Sequence, residues 1–208
     1  MKRKNHAKYP YHEPARTEIL EVQRQLLHLN DLASILKHEY TADAYKLYNQ
    51  IGVYSIRLKA WLIFREIILG IGRLIDPPST MGHKNINFRT LAATLKDTNA
   101  SFVHLAKRID ECLASDDIKI VRTHRNKSVA HSDYETLINK GELPPLGYPA
   151  INKSLENFTK LLDLISFEVL GGEIMYSNED QISREADEFF AVLEQGLLHK
   201  AVKQRTPE

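Results

Sequence analysis

The spacing of apolar residues is the feature of this chain that most constrains its fold, because these residues recur at steps of three and four over long stretches. Such spacing lines up apolar side chains on one face of an α-helix, whereas a half-buried strand needs strict alternation. The sequence has no alternating run long enough for a sheet. The first stripe predicts a helix over about residues 17–39 and consists of Ile19, Val22, Leu26, Leu29, Ala33 and Leu36.

Further helices are predicted by the same periodicity, separated by segments rich in proline and glycine. A long helix over about residues 41–76 ends at Pro77-Pro78, and its apolar part, residues 60–75, is expected to be a buried core helix. Within it, Gly52, Gly70 and Gly72 are candidates for close packing or bending. Asn87 is a predicted N-cap. The remaining helices are expected near residues 87–96, 100–114, 116–135, 151–169 and 179–203, with connections at 77–87 and 140–149.

Length and composition favour one folded unit. A chain of 208 residues with 43% hydrophobic and 26% charged residues can bury a sizeable core. We predict an all-α fold, a helical bundle with one or two appended helices, forming a single domain over residues 17–203. Residues 1–16 are expected to form a basic, flexible N-terminal tail, and residues 204–208 a C-terminal tail.

Charge and cysteine content limit the functional classes. The formal charge of +1 argues against a polycationic nucleic-acid coat, so any nucleic-acid contact must be a local patch. Cys112 is the only cysteine, which excludes an intramolecular disulfide and a thiolate cluster and fits a reducing compartment. Since charges interrupt the longest apolar run and no signal peptide is evident, we expect a soluble cytoplasmic protein without a membrane segment.

Several common site motifs are missing from the sequence. Gly70-Ile71-Gly72 lacks the preceding strand and the third glycine of a dinucleotide-binding fingerprint, and no phosphate-binding loop follows a strand. The nine histidines form no His-Glu-x-x-His helix and no Cys/His ligand set. We therefore predict no cofactor and no metal. For the neighbouring charges Arg65 and Glu66, an ion pair between helices is the favoured interpretation.

One segment, residues 122–131, concentrates fixed cations, imidazoles and an amide, the groups that suit phosphodiester chemistry. A guanidinium can hold phosphate oxygens and stabilise the charge that develops on them, while an imidazole can move the proton of a 2'-hydroxyl or a leaving group. Such chemistry needs no metal, and RNA is its natural target. The candidate site residues in this segment are Arg122, His124, Arg125, Asn126, Lys127 and His131.

The spacing of Arg125 and His131 poses a geometric problem. Six steps of 100° separate them by about 240° on a regular helix, so they cannot share one face. Continuing the stripe of Ile118 and Val121 also puts Arg125 where an apolar residue is expected, so the arginine needs a partner. Either the helix is interrupted near Asn126, or the site combines residues from two chains of a symmetric dimer.

A structural interpretation of the same residues competes with the catalytic one. In it, Arg125 holds a buried carboxylate, His131 is an ordinary surface histidine, and the other cations form a solvated face. Residue types alone favour this interpretation, because short motifs often match by chance.

The segment as a whole resembles the signature of the HEPN superfamily, an arginine followed after four to six residues by a histidine on a late helix of a bundle. Arg125 and His131 match with five intervening residues, and Asn126 fills the polar position; the form Arg-Asn-Lys-x-x-Ala-His looks like the abortive-infection branch. The resemblance implies metal-independent endoribonucleases that dimerise and act as toxins or antiphage effectors. It also implies that Arg125 binds phosphate, Asn126 supports the geometry and His131 transfers protons, while Arg122, His124 and Lys127 are expected to contact RNA.

One departure from the family limits this transfer. A toxin branch places tyrosine two residues after the histidine, whereas this chain has Asp133 there and Tyr134 one position later. The segment and the resemblance together give the first functional hypothesis, an RNA-cleaving homodimer with a cognate antitoxin or defence partner. The alternative is a non-catalytic helical adaptor that binds RNA, a nucleotide or a protein.

Overall fold

A computed structural model describes residues 13–51, 53–129, 146–172 and 178–205. Within these ranges the protein is all-α, as predicted, with one pair of two-residue strands. A 3-10 turn, Ala100–Phe102, precedes α5, and a π-helical turn, Arg125–Val129, follows α6. The elements are α1 (Glu13–Glu39), α2 (Ala42–Ile51), α3 (Val53–Ile75), β1 (Ser79–Thr80), β2 (His83–Lys84), α4 (Phe88–Thr98), α5 (Val103–Leu113), α6 (Asp116–His124), α7 (Tyr148–Leu170) and α8 (Glu179–Arg205).

Helix α1 begins at Glu13, four residues before the predicted start. Pro14 explains the difference, because proline fits the first turn of a helix, where its missing N–H is not needed. Ala15 is already fully buried. Residues 1–12 and 206–208 lie outside the described ranges.

The described residues form two compact units, the first lying within Met1–Leu27 and Ile68–Tyr176. In this unit α4 packs against α5, and α7 packs against both α5 and α6. The rings of Phe88 and Phe158 lie 4.8 Å apart between their centres at the middle of the core. Fully buried side chains there include Ile19, Leu26, Ile71, Leu74, Leu91, Leu105, Ile109, Val121 and Leu162.

A short β-hairpin occupies the predicted connection between α3 and α4. Strands β1 and β2 pair antiparallel, and the turn between them is Met81-Gly82, with φ of 51° and 81°. A two-residue hairpin turn needs positive φ, which Gly adopts readily and Met does not. The prediction of an irregular connection was wrong because Met-Gly lacks the Asn or Asp that usually marks such a turn.

The second unit comprises the described residues within His28–Ile67 and Ser177–Glu208. In it α2 contacts α8, and the buried Tyr48 ring lies 5.9 Å from the ring of Phe190. The Asp31 carboxylate accepts hydrogen bonds from the backbone and side chain of Asn178, both at 2.9 Å. Beside it, Lys37 forms an ion pair with Glu179. These contacts fix the start of α8.

The first half of α3 is exposed, which corrects the prediction of a buried helix over residues 60–75. Trp61 is 54% and Leu62 49% exposed, and the buried positions begin at Ile67. The Arg65 guanidinium lies over the Trp61 ring, 5.4 Å from its centre, one turn away on the same helix. A cation stacked on an indole makes a half-exposed tryptophan tolerable. This contact lies within one helix, and the ion pair of Arg65 and Glu66 between helices stays a prediction.

Two further predictions concern membrane segments and domain organisation. Across the described ranges, no helix is both long and apolar enough to cross a membrane. The single domain over residues 17–203 stays a prediction, as do the tails.

Candidate functional site

Helix α6 ends one residue before Arg125. Ile118 and Val121 on its inner face are buried, as the stripe predicted, and the chain then widens into the π-helical turn Arg125–Val129. A π-turn carries i→i+5 hydrogen bonds, is rare in proteins, and is often found at functional sites. The 240° separation between Arg125 and His131 assumed an unbroken α-helix, so it no longer applies. The chain thus departs from a regular α-helix at the start of the motif, and because His131 lies outside the described residues, both alternatives stay predictions.

The Arg125 side chain is held by an ion pair. Its Nη2 donates to Asp76 Oδ2 at 2.8 Å, and its Nη1 donates to Asn126 Oδ1 at 3.2 Å. The side chains of Arg125 and Asp76 are 25% and 20% exposed, so the pair is partly shielded from water. The arginine in the apolar stripe thus has the carboxylate partner that its position requires, as the structural interpretation proposed.

Gly72 of α3 provides the surface on which Arg125 lies. A Cβ added at Gly72 would lie 2.8 Å from Nε, 2.9 Å from Cγ and 3.0 Å from Cδ of Arg125. Any side chain at position 72 would therefore collide with the middle of the arginine side chain. The predicted role of this glycine in close packing is confirmed.

The guanidinium keeps donors available. It has five N–H groups, of which Asp76 and Asn126 accept one each. The Nε–H is buried against α3 and has no hydrogen-bond partner among the described residues. Counting only the described residues, one further N–H remains on each terminal nitrogen, and these are the groups with which an arginine binds a phosphate.

Side chains from the start of α4 fix the segment that carries Asp76. The last carbonyls of a helix lack partners within it, and here they receive side-chain donors. Asn87 Nδ2 donates to Asp76 O at 3.1 Å and to Pro77 O at 3.3 Å, while Arg89 Nε donates to Ile75 O at 3.0 Å. Asn87 is fully buried, and its Oδ1 caps α4 by accepting from Thr90 N at 3.0 Å, as predicted.

A protein-family model described as AbiU2, of the HEPN type, matches residues 62–189, which is more than half of the chain. The chain belongs to the HEPN AbiU2 family, a HEPN-type abortive-infection family. No curated protein and no solved structure gives a significant match. The matched range of the HEPN AbiU2 model contains every contact of Arg125 described above.

The other predicted site residues of this HEPN AbiU2 chain differ in their placement. Arg122, Asn126 and Lys127 are exposed, and His124 is half-buried. His131 lies outside the described residues. The structure thus brings together Arg125 and Asn126 and puts the cations at or near the surface, while the catalytic and RNA-binding roles stay predictions.

Two residues of the candidate site, Asp76 and Asn87, were not predicted from the sequence. Asp76 was noted only as the end of a helix, and Asn87 only as an N-cap. The signal that could have found Asp76 is the demand of Arg125 for a carboxylate, but the sequence offers 27 acidic residues. Among the described residues, no group of three or more His, Cys, Asp or Glu side chains is placed to hold a metal ion.

Proposed function

We propose that this HEPN AbiU2 chain is a metal-independent endoribonuclease that acts as a homodimer in phage defence. The observation that carries the proposal is Arg125, held in place by Asp76 and Gly72 with terminal N–H groups to spare, at a break in the helix. Exposed cations at Arg122 and Lys127 flank it and suit an RNA backbone. Family membership supports the link to abortive infection.

The proposed reaction is transesterification by the ribose 2'-hydroxyl. The 2'-oxygen attacks phosphorus, the bond to the 5'-oxygen breaks, and the products are a 2',3'-cyclic phosphate and a free 5'-hydroxyl. A neutral His131 imidazole takes the 2'-proton, and the imidazolium so formed gives a proton to the leaving 5'-oxygen, so one His131 serves each site. Arg125 stabilises the charge that develops on the phosphate oxygens, and Asn126 helps to orient it.

The adaptor remains the second candidate, and one observation favours it. The Arg125–Asp76 pair already neutralises the guanidinium, as a purely structural arginine would be neutralised. In that case the exposed cations of residues 122–127 form a docking surface for RNA, a nucleotide or a protein. Both candidates place the chain in the cytoplasm with a defence or antitoxin partner.

Purified full-length protein should be incubated with mixed cellular RNA in excess chelator. We expect cleavage that leaves cyclic phosphates, reduced by about 10²–10⁴-fold in His131→Ala. His28→Ala, which removes an exposed histidine from α1, is the matched control and should cleave like the wild type. Undiminished cleavage by His131→Ala would refute the proposed mechanism, and RNA binding without cleavage would favour the adaptor.

The dimer can be tested with two inactive variants. If one site combines Arg125 of one chain with His131 of another, mixing Arg125→Ala and His131→Ala chains regenerates intact sites. Random pairing makes about half of the dimers mixed, each with one intact site of two, so about a quarter of the wild-type activity should return. A monomeric mass in light scattering together with no recovery would exclude the composite site.

A further inference from the structure

We infer that Asp76 is a positioning residue for Arg125, one that sets which N–H groups of the guanidinium face the phosphate. The inference rests on the proposed nuclease function. Asp76 lies 49 positions before Arg125 in the sequence and outside the motif, yet its carboxylate makes the shorter of the two hydrogen bonds to the guanidinium, 2.8 Å against 3.2 Å for Asn126.

Three contacts restrict the guanidinium on different sides. Gly72 lies beneath its stem, where an added Cβ would be 2.8 Å from Nε. Asp76 holds Nη2 and Asn126 holds Nη1. A planar group held at both terminal nitrogens and backed by a helix cannot rotate freely, so it presents the remaining N–H groups in a defined plane.

Asp76 is itself held by its backbone. Asn87 donates to the Asp76 carbonyl, and Arg89 donates to the carbonyl of Ile75, the residue before it. Because Asn87 is fully buried and also caps α4, its amide cannot turn away without leaving polar groups unpaired. The backbone that carries the Asp76 carboxylate is therefore held at two consecutive carbonyls, which limits how far the carboxylate can follow the arginine when a phosphate attracts the guanidinium.

This arrangement predicts opposite effects on binding and on turnover. Without the negative charge at position 76, Arg125 is a freer cation that attracts RNA more strongly but orients the phosphate less well. For Asp76→Asn we expect a KM lowered about 2–5-fold and a kcat lowered about 10–100-fold. A merely structural role would reduce the amount of folded enzyme without moving KM in this direction.

The enzymatic test compares Asp76→Asn and Asp76→Glu with Asp110→Asn, using full-length protein and a defined RNA oligonucleotide. Asp110 is an exposed carboxylate of α5 paired with Lys96 at 3.3 Å, so its replacement is a matched control that should leave kcat and KM unchanged. Asp76→Glu keeps the charge and should recover part of kcat. Unchanged kcat and KM in Asp76→Asn would overturn the inference.

A second measurement does not depend on RNA cleavage. The Nε–H of Arg125 gives a ¹H–¹⁵N resonance that Arg125→Lys identifies by its disappearance. We expect this resonance to shift or broaden in Asp76→Asn, to persist in Asp76→Glu and to be unaffected in Asp110→Asn. If wild-type protein cleaves no RNA, the nuclease proposal fails while this resonance still reports on Asp76; an unchanged resonance in Asp76→Asn contradicts the positioning role itself.

Discussion

Replacing Gly72 by alanine separates the close contact with Arg125 from ordinary helix stability. In a helix interior this change normally stabilises by roughly 0.5–1 kcal/mol, because alanine loses less backbone freedom on folding. At position 72 the new Cβ lies 2.8–3.0 Å from three atoms in the middle of the Arg125 side chain. The arginine must move, and the Asp76 pair is then lost.

The magnitude follows from these two effects. A hydrogen bond between charged groups is worth about 1.5–3 kcal/mol, and the Arg125–Asp76 pair is mostly shielded from water. Subtracting the helix gain leaves a net destabilisation of roughly 0.5–2.5 kcal/mol, which lowers Tm by about 1–10 °C in a chain of this size. Displacement of Arg125 by about 1 Å should also reduce RNA cleavage about 100-fold.

Gly196→Ala is the matched control, measured by calorimetry and by the RNA cleavage assay. Gly196 lies inside α8, and nothing lies within 4 Å of a Cβ added there. Its replacement should raise Tm by about 1–4 °C and leave cleavage unchanged. If Gly72→Ala were as stabilising as Gly196→Ala and as active as the wild type, the steric reasoning would be refuted.

Three further outcomes are expected. Asn87→Ala removes a helix cap and leaves the Asp76 carbonyl without its side-chain donor, while Pro77 O keeps Asn85 as a donor. It should destabilise by roughly 2–4 kcal/mol in chemical denaturation and lower cleavage in the protein that remains folded; a loss below about 0.5 kcal/mol would contradict this. The hydrogen bond from Lys37 lowers the pKa of Glu179 below its ordinary value of 4.5; burial opposes this effect and His38 adds to it. The ionised carboxylate therefore stabilises the fold above pH 4.5, and this contribution disappears as the pH falls through the lower pKa of the folded state. Glu179→Gln should accordingly be less stable than wild type near pH 7, by no more than about 1 kcal/mol because the pair is exposed, and equal to it at strongly acid pH; a constant difference would exclude the linkage. Burial raises the pKa of the Cys112 thiol to about 11, so iodoacetamide at pH 8 should label it only after unfolding, and rapid labelling of native protein would show that the thiol is accessible.

Much of the fold was predictable because the apolar periodicity of a helix can be seen within one continuous stretch of sequence. The structure confirms burial at five of the six positions in the stripe of α1, Ile19, Val22, Leu26, Leu29 and Ala33, whereas Leu36 is half-buried. Which part of a helix is buried depends on elements that are distant in sequence. Because α3 is apolar on several faces, its periodicity could not show that Trp61 is exposed while Ile67 is buried. The Met81-Gly82 turn escaped prediction for a similar reason, since only the pairing of its strands reveals it.

In the candidate site as well, residues that are adjacent in sequence were predictable, whereas residues that only folding brings together were not. Arg125 and Asn126 are neighbours in sequence, so their chemistry could be recognised together. Asp76 lies on another element, and only the folded chain selects it from the other carboxylates as the partner of Arg125. Gly72 was partly predictable, because its lack of a side chain indicated close packing but could not identify Arg125 as the neighbour.

The β1–β2 hairpin is closed at its base independently of its tip. Asn85 donates from its backbone to Pro78 O and from its side chain to Pro77 O, both at 2.8 Å, while Met81 at the tip is 96% exposed. The turn can therefore be lengthened, shortened or given a fluorescent label without moving the carboxylate that precedes Pro77. This makes position 81 a suitable attachment point for a label that leaves the Arg125–Asp76 pair in place.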